Sequence, residues 1–141
     1  MKKIIFFLMS LSIVACGAFK PDAQLKIQQR SQNADQIWVD GVSGLQWTSV
    51  QAKSQTWQMA RATCGDLSWN GAQGWRLPTK NDLVAAFEHG IRFAGSSFDE
   101  LLFWSSSSYS RGSDYRWIMD LMEGEALPGY KNDDYAVLCI K

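Results

Sequence analysis

The sequence predicts an α+β domain over residues 37–141, two helices packed on a twisted, mostly antiparallel sheet. Three observations carry this. Trp57, Ala60, Cys64 and Leu67 recur at helical spacing, and a second short helical pattern follows at 80–88. Between them, Gly74-Trp75-Arg76-Leu77-Pro78-Thr79 combines a tight turn, an extended piece and a helix start. Downstream, Tyr115, Trp117, Met119 and Leu121 alternate with Arg116, Ile118 and Asp120, the period of a strand with one apolar face.

Taken in order, residues 1–15 have the layout of an export signal, with Lys2 and Lys3 followed by an apolar run broken only by Ser10 and Ser12. The run ends at Ile13-Val14-Ala15-Cys16, which resembles the lipobox of bacterial lipoproteins. That resemblance implies cleavage before Cys16 and acylation of Cys16, and Gly17 in place of Asp implies the outer membrane. The alternative is an ordinary signal peptide with a coincidental cysteine. Residues 16–36 are polar and lack a sustained apolar period, as expected of a tether holding the domain off the membrane. The chain carries 14 basic and 14 acidic residues, so without Lys2 and Lys3 it has a slight acidic excess and no basic stripe for a nucleic acid.

Ile37-Trp38-Val39 and Leu45-Gln46-Trp47 read as two short strands around a turn at Asp40-Gly41. Ser54 or Thr56 then caps the first helix, with Gly65 as its left-handed stop. Thr79 caps the second, its hydroxyl set to take the amide of Asp82 while Asp82 reaches back. That helix is expected to bury Leu83, Val84 and Phe87 and to end at His89-Gly90. Residues 91–98 are irregular, Leu101 to Trp104 starts a strand that runs into four serines, and Glu123-Gly124-Glu125 reverses the chain. Tyr135 to Ile140 is apolar on both faces, as a central strand would be.

The sequence contains three cysteines. In an oxidising compartment, lipid on Cys16 leaves Cys64 and Cys139 to pair; the alternative is two buried thiols.

Gly44-Leu45-Gln46-Trp47, the Trp57 to Leu67 pattern, Gly74 to Thr79 with Asp82-Leu83, Phe103-Trp104-Ser105-Ser106 and Val137-Leu138-Cys139 together resemble the C-terminal domain of the Legionella collagen-like adhesin, across 37–141. The resemblance implies a fold similar to C-type lectin-like domains and formylglycine-generating enzymes, with a bridge from the first helix to the last strand. Leu138 stands where relatives carry an arginine. The cysteine pair used in catalysis by formylglycine-generating enzymes has no counterpart here.

No catalysis is expected. His89 is the one histidine, read as a donor to the exposed carbonyls at its helix end, and no serine sits in a nucleophile turn near it. A rival enzyme reading would use Arg111, Asp114 and Tyr115. Trp57 and Trp75 are assigned to the core, and Arg76 to a buried carboxylate or carbonyls beneath the hinge. Asn132-Asp133-Asp134 reads as a solvated turn; the alternative is part of a calcium shell, for which the second ligand loop of sugar-binding lectins is missing. No cofactor or metal is expected. The binding candidates are Trp104, Ser107, Tyr109, Arg111, Asp114, Tyr115, Tyr130, Asn132, Asp133 and Asp134, a mixture of aromatic area and adaptable hydrogen bonding where lectin-like domains carry variable loops. The sequence-based expectation is a membrane-anchored envelope lipoprotein that binds a polysaccharide or protein, with a structural envelope role as the rival.

Overall fold

The computed structural model describes residues 37–94, Phe98 and 101–141. The leader, Cys16, the tether and the Asp99-Glu100 pair lie outside the described residues. The elements are β1 (Trp38–Val39), β2 (Gln46–Trp47), β3 (Ala52–Gln55), α1 (Trp57–Gly65), α2 (Lys80–Glu88), a 3-10 turn (Ile91–Phe93), β4 (Leu102–Ser108), β5 (Tyr115–Asp120), β6 (Glu125–Tyr130) and β7 (Tyr135–Val137). β1 and β2 form a small antiparallel ribbon, and the main sheet has the order β3-β7-β4-β5-β6. The sheet is mixed: β4 and β7 are parallel and the other neighbours antiparallel.

Alternation along the strands sorts the core into two layers. Phe103, Met119, Ala136 and Leu138 pack with Leu83 and Ala86 of α2. Their chain neighbours Trp104, Ile118, Val137 and Cys139 pack with Trp57, Ala60 and Cys64 of α1. Successive strand residues point to opposite faces, so the two helices cover opposite faces of the sheet. Cys64 is bonded to Cys139, 75 residues along the chain, which ties α1 to the segment leaving β7. The sheet is apolar on both sides where β7 runs, as the sequence of that strand predicts.

The hinge has a specific place in this sheet. β4 and β7 meet at Phe103 and Ala136 and then diverge. Residues 75–78 enter the gap: Arg76 and Ile140 exchange both backbone hydrogen bonds at 2.9 Å, and the Pro78 carbonyl accepts from the Ser106 amide at 2.7 Å. Pro78 has no amide to donate, and here only its carbonyl is used. Helix α2 then starts as expected, with Asp82 N donating to Thr79 Oγ1 at 3.1 Å and Thr79 N donating to Asp82 Oδ2 at 2.8 Å. One residue further along the same extension of β7, Gln46 and Lys141 exchange backbone bonds at 3.0 Å, closing the N-terminal ribbon onto the end of the domain.

Several expectations are corrected. Gly65 is the last residue of α1 rather than a left-handed stop; the helix ends through Asp66, whose amide donates to the Ala62 carbonyl. Ser54 lies in β3, and Thr56 occupies the cap position of α1 without a side-chain hydrogen bond. In α2 the sealed residues are Leu83 and Ala86, while Val84 and Phe87 are half-buried at the margin of the core. Ser105 to Ser108 belong to β4 and not to a loop.

Candidate functional site

The rings concentrate at one end of the sheet, where β4 ends, β5 begins and β6 ends. Tyr115 faces Tyr130 directly across the β5–β6 ladder, and Trp117 faces Pro128. Two residues apart on β5, Tyr115 and Trp117 share a face. Tyr109, just beyond β4, bridges them: its ring centroid is 4.8 Å from that of Trp117 and 6.4 Å from that of Tyr115, and Tyr115 is 5.5 Å from Tyr130. The planes are inclined by 58–77°, so each ring props its neighbour edge to face. The outer members remain in water, Tyr115 at 41% and Tyr130 at 38% exposure.

Helix α2 supplies the charge. Lys80, its first residue, places Nζ 3.7 Å from the centroid of Trp117, a cation held by the electron-rich ring face. The Lys80 amide donates to Ser107 Oγ at 2.9 Å. Ser107 therefore caps the helix and fixes the strand beneath it; its side chain is committed to structure rather than to a ligand. Trp104 is also corrected: it is fully buried, with its indole nitrogen donating to the Gln55 carbonyl at 2.7 Å.

Arg111 and Asp114 are exposed in the turn between β4 and β5 beside this cluster, and the Asp114 carbonyl accepts from the Lys131 amide at 2.9 Å. Asn132, Asp133 and Asp134 form an exposed turn, but their side chains diverge. Asn132 donates to the Tyr130 hydroxyl at 3.3 Å, while Asp134 accepts from Ser54 Oγ at 3.2 Å. Burial, and then the Asp133 carboxylate beside it, push the Tyr135 phenol above its ordinary range. Among the described residues no group of three or more His, Cys, Asp and Glu side chains is placed to hold a metal ion.

Titratable chemistry elsewhere is structural in geometry. His89 Nδ1 meets Asp40 Oδ2 at 2.8 Å, so this ring ties the end of α2 to the β1–β2 turn instead of serving the helix carbonyls. Burial opposes the charge on Asp40, but donation from the Ser43 hydroxyl, His89 and the Val42 amide overcomes it and lowers the carboxyl pKa to about 2. Arg76 Nη1 pairs with Asp82 Oδ2 at 2.9 Å; the partner is a carboxylate as expected, but it lies in the first turn of α2 and the pair is open to solvent rather than buried beneath the hinge.

Thus the structure gathers Tyr109, Tyr115 and Tyr130 into one ledge with Arg111 and Asp114 near it, while Trp104 is buried and the Ser107 hydroxyl is taken by the Lys80 amide. Trp117 and Lys80 join the ledge and were not anticipated. Trp117 had a sequence signal, its position two residues after Tyr115 on the same strand face. Lys80 had none, because it arrives from a helix that starts 37 residues before Trp117.

The family model for the Lcl C-terminal domain matches residues 36–141. The chain belongs to the Lcl C-terminal domain family. The match takes in both helices, the whole sheet and the ledge. No curated protein matches the chain. Among the described residues of this Lcl-type domain, no helix is long and apolar enough to cross a membrane.

Proposed function

We propose that this Lcl-type domain is a non-catalytic binding module, displayed from a bacterial envelope by lipid on Cys16, that engages a polysaccharide through the Tyr109–Tyr115–Trp117–Tyr130 ledge. The observation that carries the reading is the convergence of four aromatic rings from three strand ends, two of them well exposed, beside a lysine. Exposed aromatic area that is already propped in place binds with little entropy cost. The inclined rings form a corrugated surface, which suits a sugar chain that turns from residue to residue better than a flat ribbon. Lys80, Arg111 and Asp114 supply hydrogen-bonding groups at the rim for sugar hydroxyls. The lectin-like comparison belongs to this proposal, and so does an outer-membrane location.

The test is a glycan array probed with the purified protein, with and without EDTA, alongside Tyr115→Ala and Tyr130→Ala. Truncating an aromatic anchor costs about 2 kcal/mol, or roughly 30-fold in affinity. EDTA-insensitive binding that both variants weaken, with unchanged circular dichroism, is expected. Binding indifferent to both variants, or silence on the array with a stoichiometric protein co-purifying, would overturn the glycan reading in favour of a structural role.

A further inference from the structure

A second feature lies between the end of α1 and the hinge. It is a cleft of about 500 Å³ lined by Arg61, Trp75, Arg76, Leu77, Thr79 and Ser106. A smaller depression along α1, lined by Gln58, Arg61 and Ala62, adjoins it through Arg61. The floor is rigid: Trp75 and Leu77 are buried, and the Trp75 indole nitrogen donates to the Ala72 carbonyl at 3.0 Å.

The charges around the cleft do not balance. Arg76 has Asp82 as its partner, and both the Thr79 contacts and Arg76 itself keep that carboxyl ionised against the effect of its burial. Arg61 has no ion-pair partner among the described residues. Its guanidinium stands 5.0 Å from the Trp57 ring centroid, and two more cations approach the same ring, Arg116 at 4.3 Å and Lys131 at 5.3 Å. Arg116 is partly occupied, donating through Nη1 to the Ser113 and Tyr115 carbonyls. Three cations therefore share the Trp57 ring. Of the two cations lining the cleft, Arg76 is paired with Asp82 outside it and Arg61 is not, which leaves one positive charge to complement a single negative charge.

We propose that this cleft binds a small organic carboxylate, of the kind offered by a free aromatic acid or by the C-terminal end of a short peptide. The planar fork of Arg61 matches a carboxylate in two parallel hydrogen bonds. Thr79 Oγ1 accepts from Asp82 N and retains its own proton to donate. The edges of Trp75 and Leu77 border the body of the ligand. This inference is independent of the ledge and of what the ledge binds, since the two share no residue.

The experiment is a nitrogen–proton NMR titration of the purified chain, following the Trp75 indole and Arg61 Nε resonances. The probes are benzoate, acetyl-trialanine with a free C-terminus, the same peptide as its C-terminal amide, and inorganic sulfate. Saturable shifts with benzoate or the peptide acid, absent with the amide and at least tenfold weaker in Arg61→Gln, are expected. Benzoate alone or the peptide acid alone would support the site and name the source. Arg92→Gln, on the opposite side of the sheet, should leave the shifts unchanged. Equal response to acid and amide, a response to sulfate as strong as to the carboxylates, no shift with any probe, or undiminished binding in a folded Arg61→Gln protein would each overturn the proposal.

Discussion

Replacing both Cys64 and Cys139 by alanine should cost this domain a large share of its stability. The bond joins residues 75 apart, and each cysteine is fully buried. In the chain-entropy description, releasing a loop of that length returns to the unfolded chain about 15 cal/mol/K, or about 4.5 kcal/mol at room temperature. Domains of this size have roughly 5–15 kcal/mol in all, so the variant is left marginal. With a urea slope of about 1.5 kcal/mol/M, the midpoint should fall by about 3 M. The assay is equilibrium urea unfolding followed by tryptophan fluorescence and circular dichroism, comparing the parent and the double variant. A midpoint shift of less than about 0.5 M at unchanged slope would refute the argument, and would mean that the unfolded chain is already constrained around this pair.

Two further outcomes follow from the geometry. Gly129→Ala would place a methyl 2.7 Å from Ile118 Cγ2, 2.9 Å from Tyr135 Cε2 and 3.2 Å from Trp104 Cζ3. Overpacking of that kind costs about 1–3 kcal/mol, seen as a lower urea midpoint; an unchanged midpoint would show that Ile118 and the Tyr135 and Trp104 rings all yield freely. For acid stability, the Asp40 carboxyl ionises at about 2 in the folded chain against an ordinary 3.8, so below 3.8 the unfolded chain takes up a proton that the folded chain refuses. Stability contributed by this group is complete above that range and is lost as pH falls toward 2. Urea midpoints measured from pH 5 to 2 should therefore fall less steeply in Asp40→Asn than in the parent, and equal slopes would remove Asp40 from the account.

Helices were the most legible part of the fold in the sequence, because their signals are local. Thr79 and Asp82 lie three residues apart, and the box they form is a property of that one turn. The two missed strands, β3 and β6, are the edges of the sheet. Ala52-Lys53-Ser54-Gln55 has no apolar alternation, since an edge strand half in water needs none. Glu125 to Tyr130 contains Pro128-Gly129, which reads as a turn, yet an edge strand accommodates a proline where no neighbour waits for its amide. The serine run misled for a related reason. Ser105 is fully buried with its carbonyl taking the Trp57 indole, so polar composition marked a packed strand and not a loop. For the site, Tyr115 and Tyr130 were found because tyrosine near a turn is conspicuous. Their contact depends on the β5–β6 register, and the register depends on a strand that the sequence conceals.

The way β7 and its extension are placed has a consequence for how the domain can form. Residues 135–141 touch β3, β4, the hinge and β2, so they are the common partner of segments spread over most of the domain. A chain emerging from its N-terminal side presents both helices, four of the five strands of the main sheet and Cys64 before that partner exists. Such a chain holds exposed apolar faces and an unpaired thiol at Cys64 until Cys139 arrives. Folding here is consequently an event of completion, dominated by distant pairings and slow for the size of the domain. In an oxidising compartment Cys64 is open to capture by other thiols throughout that interval, which makes the time between the appearance of the first helix and of the last strand the period in which this molecule is most easily lost.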